Sequence, residues 1–316
     1  MFLDLERVEV LKGPQNTLIG KNNTAGAINI TTRKPGDEFG GYVATIYDFE
    51  AGEGFALEGA VDLPLGDNVR SRIAARVEDK DGYMEHGLTG SDVSGARDNF
   101  TIRGIVEWDI TESVDATLLY QYGEINRGAR PREAGGNCNV THPIDDCSYN
   151  NVKYEAAFWA GENREDDFVT ETDYSMVGLT FNWQLNDNWT LSSLTNFTSY
   201  EGNDLSESNY DQNIDATLAQ IQDEFDQFSQ EFRLLGSLSE SVDLIAGVYY
   251  NDNTVDAAHS LLFCGGPVNC SDASSPTYGG LMRNFDSTQD AETISVFGQI
   301  DFSLGDTLTL GIGGRF

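Results

Sequence analysis

The sequence predicts an all-β fold, and within that class part of a transmembrane antiparallel β-barrel. Three observations carry this reading. From residue 39 onward apolar and polar residues alternate with period two, the mark of strands with one apolar and one polar face. Most of these stretches run 12 to 16 residues, against roughly 5 or 6 for a strand in a globular sheet. A dozen residues at ~3.3 Å each, tilted by ~45°, rise ~28 Å, which matches an apolar band about 25 Å tall. The connections, finally, alternate between tight turns and long loops, as in barrels whose two rims face different compartments.

In chain order the pattern gives about eleven strands, at 39–50, 53–64, 68–80, 97–110, 113–126, 171–186, 188–202, 223–238, 241–256, 291–304 and 307–316. The fourth shows the principle: Phe100, Ile102, Gly104, Val106, Trp108 and Ile110 share one face, and Asn99, Thr101, Arg103, Glu107 and Asp109 the other, with only Ile105 out of pattern. A helix would place those charges at i+3 and i+4 instead. Tight connections are read at 64–68, 110–113, 186–187, 239–240 and 305–306, and long ones at 81–96, 127–170, 203–222 and 257–290. The first hairpin, around Gly52, is short where the alternation calls for a long loop. Trp108, Tyr122, Trp183, Trp189, Tyr250 and Phe302 stand near strand ends, where aromatic girdles sit at headgroup level.

Composition excludes other classes. With 52 acidic and 19 basic side chains and a formal charge of −33 in 316 residues, no nucleic-acid surface is expected. No stretch approaches the 18 or so consecutive apolar residues of a membrane helix. A content of 17 Phe, 13 Tyr and 33 Gly with only 7 Pro does not describe a disordered acidic chain. The beginning, Met1 to Arg7, lacks the basic and apolar regions of a signal peptide, and the last predicted strand ends without a turn, so the chain reads as a fragment.

Residues 1–36 read differently. Glu6-Arg7-Val8-Glu9-Val10-Leu11-Lys12-Gly13-Pro14-Gln15 leads into Leu18-Ile19-Gly20 and then into Ala25-Gly26-Ala27-Ile28-Asn29-Ile30-Thr31-Thr32-Arg33-Lys34-Pro35. Two short strands are thus joined by a Gly-Pro turn and a Gly-rich stretch. Over some thirty positions this resembles the end of the plug domain of TonB-dependent outer-membrane receptors, whose pattern runs R-V-E-V-L-R-G-P-Q-G, then L-[YF]-G, then G-G-A-I-N-I-x-T-K-x-P. The departures are Lys12 for Arg, Asn16 for Gly, Ile19 for the aromatic and Ala25 for the first Gly of the pair. The resemblance implies a C-terminal plug segment at 1–36 and the first half of a 22-stranded barrel at 37–316. It also implies a receptor in the bacterial outer membrane that takes up a scarce solute, a ferric siderophore, cobalamin or an oligosaccharide, driven by TonB through a TonB box upstream. Its partners would be TonB, the solute and outer-membrane lipid, with no cofactor and no covalent chemistry.

Site candidates follow from that frame. Lys12 stands where the family has an Arg that ties the plug to acidic barrel residues. Ser229-Gln230-Glu231-Phe232-Arg233-Leu234 resembles the family's S-Q-E-L-R-L strand, and period two puts Glu231 and Arg233 on the lumenal face, so Lys12 is expected to approach Glu231. Tyr149, Tyr154, Phe158 and Trp159 in the 127–170 loop are candidates to stack on a solute, with packing within the loop as the alternative. Cys138 and Cys147, and Cys264 and Cys270, form two local pairs that fit loop disulfides in an oxidising exterior. His86, His142 and His259 fall in predicted loops without metal-ligand spacing, and no nucleophile motif or nucleotide fingerprint occurs. An outer-membrane barrel hydrolase is the rival from another class and needs a nucleophile beside a His. A passive porin is the second rival and has no use for a plug.

Overall fold

The computed structural model describes residues 3–13, 25–49, 52–83, 85–86, 95–128, 152–153, 170–207, 216–264, 280–305 and 307–316. Strands β1 (Leu5–Lys12) and β2 (Gly26–Thr32) pair with each other as a separate antiparallel ladder. The main sheet then follows with β3 (Gly40–Asp48), β4 (Gly54–Pro64) and β5 (Val69–Lys80). A two-residue strand β6 (Glu85–His86) leaves the sheet and meets β9 (Val152–Lys153) in parallel. The sheet continues through β7 (Arg97–Thr111), β8 (Val114–Arg127), β10 (Thr170–Asn186), β11 (Trp189–Glu207), β12 (Ala216–Ser239), β13 (Val242–Cys264), β14 (Gly280–Ser303) and β15 (Thr309–Arg315). These eleven strands form one unclosed antiparallel meander, each hydrogen-bonded to its neighbour in the chain.

Burial is inverted relative to a soluble sheet. On β7 the polar face is the covered one: Asn99, Thr101 and Arg103 are nearly inaccessible, and Ile105, the residue out of pattern, is buried beside them. The apolar face of the sheet is open, with Trp108, Leu118, Val177, Leu179, Phe181, Phe197, Phe232 and Val296 all exposed. A sheet with its apolar residues outside and its polar residues inside suits a lipid exterior and a polar lumen. Above the apolar band on that outer face, Glu124, Asp173, Glu201, Glu224 and Asp256 stand opposite one another in a single cross-strand row.

Because successive strands run antiparallel, the connections β4–β5, β7–β8, β10–β11, β12–β13 and β14–β15 share one rim and the others share the opposite rim. The first rim carries the five tight turns read from the sequence, and the opposite rim carries the longer connections together with the one short exception, β3–β4, around Gly52. Three of the tight turns are built alike: a register shift precedes the turn, and a side chain then caps the backbone two residues on. The amides of Ser113, Asn188 and Ser241 donate to Thr111 Oγ1, Asn186 Oδ1 and Ser239 Oγ at 3.2, 3.0 and 3.4 Å, the local bonds that Ser, Thr and Asn use to make turns. The turn before β15 instead uses Gly305 at φ +79°, a left-handed conformation that costs a glycine nothing.

The sequence underestimates the strands on the other rim. β11 reaches Glu207, β12 begins at Ala216, β13 reaches Cys264 and β14 begins at Gly280, so the connections expected at 203–222 and 257–290 shrink to 208–215 and 265–279. Above the apolar band the alternation loses its apolar half, and polar cross-strand pairs hold the ladder: Thr254 donates to Asp290 at 2.8 Å, Ser260 to Asn284 at 2.9 Å, and Thr288 to Asp256. His259, expected in a loop, lies on β13 instead, with Nε2 3.7 Å from Asp223 and its ring 6.3 Å from that of Phe285.

Candidate functional site

The lumenal face of β3, β4, β5 and β7 holds the N-terminal segment at its first described residues. Leu3 is 1% exposed and packs against Ala60 and Ala74, with Tyr42 alongside; the two alanines, directly opposite each other across β4 and β5, leave the recess that a leucine fills. Asp4, 2% exposed, follows with φ 50°. Its carboxylate takes a two-pronged contact from Arg72, Nε to Oδ2 and Nη2 to Oδ1, both 2.7 Å. Arg103 donates to the Asp4 carbonyl at 3.2 Å and to Oδ2 at 3.3 Å. The planar fork of Arg matches a carboxylate in this way, where Lys would not.

The surrounding groups complete the balance. Arg72 also reaches Asp62 at 2.7 Å, and the other Asp62 oxygen accepts the Gly36 amide at 3.0 Å. Glu58 accepts from Tyr42 at 2.5 Å, from the Asp4 amide at 3.3 Å and from Arg76 at 3.2 Å. Three carboxylates therefore face three guanidinium groups, so the cluster is neutral although each charge is largely removed from water. The crossover to β3 is tied as well: the Arg33 amide donates to Asp4 at 3.1 Å, the Arg33 guanidinium lies over the Tyr42 ring, Lys34 lies 3.7 Å from Glu107, and Asp37 lies 3.4 Å from Arg70. Burial acts to raise the Asp4 carboxyl; the Arg72 hydrogen bonds and the charges of Arg72 and Arg103 outweigh it, and the group is held below its ordinary value. Beyond this anchor, a cavity of about 630 Å³ separates Ile30 to Thr32 and Lys34 from Glu107, Asp115, Thr117 and Asn182 of the wall.

The sequence-predicted residues fall as follows. Glu231 is 8% exposed and ion-pairs with Arg233, while Phe232 between them is open to the outside, so both charged groups do face the lumen. Lys12 ends β1 opposite Gly26, and among the described residues no ion pair joins it to Glu231. Tyr149, Tyr154, Phe158, Trp159, Cys138, Cys147, Cys270 and His142 lie outside the described residues, as do the side chains of Cys264 and His86. Sequence reasoning missed Asp4, Tyr42, Glu58, Asp62, Arg72 and Arg103. The available signal was the run Arg70, Arg72, Arg76 on one face of a membrane strand, since cations inside a wall require acidic partners within the lumen.

Comparison with known proteins places these features. Residues 107–316 match the family model described as TonB dependent receptor-like, beta-barrel. The ferrioxamine B receptor of Salmonella typhimurium is 26% identical over 188 residues, which is 59% of this chain and 24% of that receptor. The ferripyoverdine receptor of Pseudomonas aeruginosa is 32% identical over 121 residues, 37% of this chain and 13% of that receptor. The chain thus spans well under two thirds of the length of these relatives. Among solved structures, the ferric yersiniabactin uptake receptor of Yersinia pestis superposes with a TM-score of 0.74 at 17% identity, covering 99% of this chain and 44% of that one. The ferripyoverdine receptor bound to ferripyoverdine gives 0.68 at 19% identity, covering 98% and 41%. With the family model spanning well over half of its residues, the chain belongs to the TonB-dependent receptor-like β-barrel family.

Proposed function

We propose that this chain is part of an outer-membrane receptor that takes up a ferric siderophore in a TonB-driven cycle, with residues 1–36 the end of its plug and residues 37–316 the first half of a 22-stranded barrel. The observation that carries the reading is the N-terminal segment clamped by Asp4 to the lumenal wall: an element held inside the barrel obstructs free diffusion and must be rearranged to admit a solute, and a passive porin has no such element. The named relatives, receptors for ferrioxamine B and ferripyoverdine, support iron chelates as the solute class. A Lys12–Glu231 contact in the closed barrel, solute stacking on Tyr149, Tyr154, Phe158 or Trp159, and disulfides Cys138–Cys147 and Cys264–Cys270 belong to the same proposal.

Uptake of radiolabelled ferric siderophores by iron-starved cells tests it. Deleting the gene should abolish uptake of at least one chelate, and re-expression should restore it only where TonB and the proton gradient are intact. Uptake that persists without TonB would make the protein a passive pore.

A further inference from the structure

All the described basic side chains of the main sheet, from Arg70 on β5 to Arg315 on β15, lie on its lumenal face. Near the tight-turn rim and midway up the wall all but one are answered by acids, as Arg72 is by Asp4 and Asp62 and Arg70 is by Glu107 and Asp109; the exception, Arg315, is covered instead by the Ser295 hydroxyl and the rings of Tyr249 and Phe297. At the opposite, long-connection rim this matching lapses. Lys80 lies opposite Arg97 across β5 and β7, and Arg97 lies opposite Arg127 across β7 and β8, so three cations occupy consecutive cross-strand positions of one row. Like charges directly opposite each other destabilise a sheet, and the chain as a whole is strongly acidic, so general composition does not account for them.

Their pairing is uneven. Lys80 is held by Asp48 at 2.6 Å. Arg97, half exposed, has one contact of 3.5 Å to Glu78. Arg127 is exposed and has no ion pair among the described residues. The row continues through Thr170 to Asp204, which accepts the Thr170 hydroxyl at 2.8 Å. Among the described residues, the least neutralised positive charge of the row is therefore at Arg97 and Arg127, facing the mouth of the lumen. Two guanidinium groups side by side offer forked donors suited to carboxylate or catecholate oxygens.

We propose that Lys80, Arg97 and Arg127 form a subsite for anionic oxygens of the captured solute, so that the receptor selects anionic iron chelates over cationic ones. This rests on the siderophore reading above. The test uses the full-length receptor in detergent, titrated with three probes: ferric citrate, a ferric tris-catecholate, and ferrioxamine B, a ferric trihydroxamate with a free ammonium. At least one anionic probe should bind, more weakly as salt rises. The double variant Arg97→Gln/Arg127→Gln should weaken that binding about ten-fold or more, the equivalent of one charge-assisted hydrogen bond, with any ferrioxamine B binding unchanged. The electrophoretic mobility of the unheated receptor checks that the variant barrel is folded. Binding confined to ferrioxamine B, or anionic binding indifferent to both substitutions, overturns the subsite and leaves the siderophore reading standing. A receptor that binds none of the three overturns both.

Discussion

Asp4 occupies a backbone region that costs a non-glycine residue roughly 1–2 kcal/mol and buries a full charge, and it persists because two arginines and two backbone bonds surround it. Taking away one partner of such a buried pair costs more than the pair contributes, about 3–5 kcal/mol, because the other charge is left stranded. Asp4→Asn should therefore loosen the docking of β1 by that order while the barrel stays folded, read as faster hydrogen exchange at residues 5–12 of the full-length receptor; unchanged protection there would show that the clamp does not hold the segment. The pH dependence has a definite sign. A carboxyl held below its ordinary value near 3.8 contributes stability that is complete above that value and is lost as pH falls through the lower folded value. The segment should thus stay docked at neutral and mildly acidic pH and loosen only in strong acid. The arginine run on β5 signals acidic partners in the lumen, but that Asp4 is one of them was not legible, because its partners lie 68 and 99 residues away and no local pattern records so long a closure.

At the scale of a strand, alternation decides the cost of a charge. Leu179 is 44% exposed on the lipid side of β10 and Thr180 points into the lumen. Leu179→Arg should cost about 2–4 kcal/mol in a lipid bilayer, and Thr180→Arg much less, measured by urea unfolding in vesicles; equal costs would mean that the two faces are misassigned. This face assignment was legible, since it depends only on period two within one strand. The upper strand ends were not, because above the lipid band both faces turn polar and the period loses its contrast. The tight turns carry a further signal that periodicity passes over: Leu65-Gly-Asp-Asn-Val69, Ile110-Thr-Glu-Ser-Val114, Leu185-Asn-Asp-Asn-Trp189, Leu238-Ser-Glu-Ser-Val242 and Leu304-Gly-Asp-Thr-Leu308 share one pattern. Each opens with an aliphatic residue that the structure leaves exposed. It is followed after one residue by an acid, then by a small polar residue, and closes on the apolar first position of the next strand or the residue just before it. In the three bulged turns the aliphatic residue is the one that falls between paired positions, so the bulge turns it outward while the next side chain caps the turn.

For the whole molecule these repeats define orientation. Five turns of one sequence pattern on one rim, and every longer connection on the other, match a barrel threaded with its short turns inward and its longer loops outside the cell. The cross-strand row from Glu124 to Asp256 agrees, since carboxylates confined to one side of the apolar band mark where lipid gives way to water, and unpaired charges would not persist within it. In that orientation the three-cation row and the extended polar strands lie on the outer side, where the proposed solute would arrive, and the Asp4 clamp lies below them inside the wall. The arrangement predicts a labelling pattern. In the full-length receptor, cysteines introduced at Asp187 and Glu240 in the tight turns should react with a membrane-impermeant maleimide only after the outer membrane is permeabilised, whereas one at Glu53 on the opposite rim should react on intact cells. Labelling of Asp187→Cys or Glu240→Cys on intact cells would reverse the orientation, and with it the placement of the cationic row at the solute's point of entry.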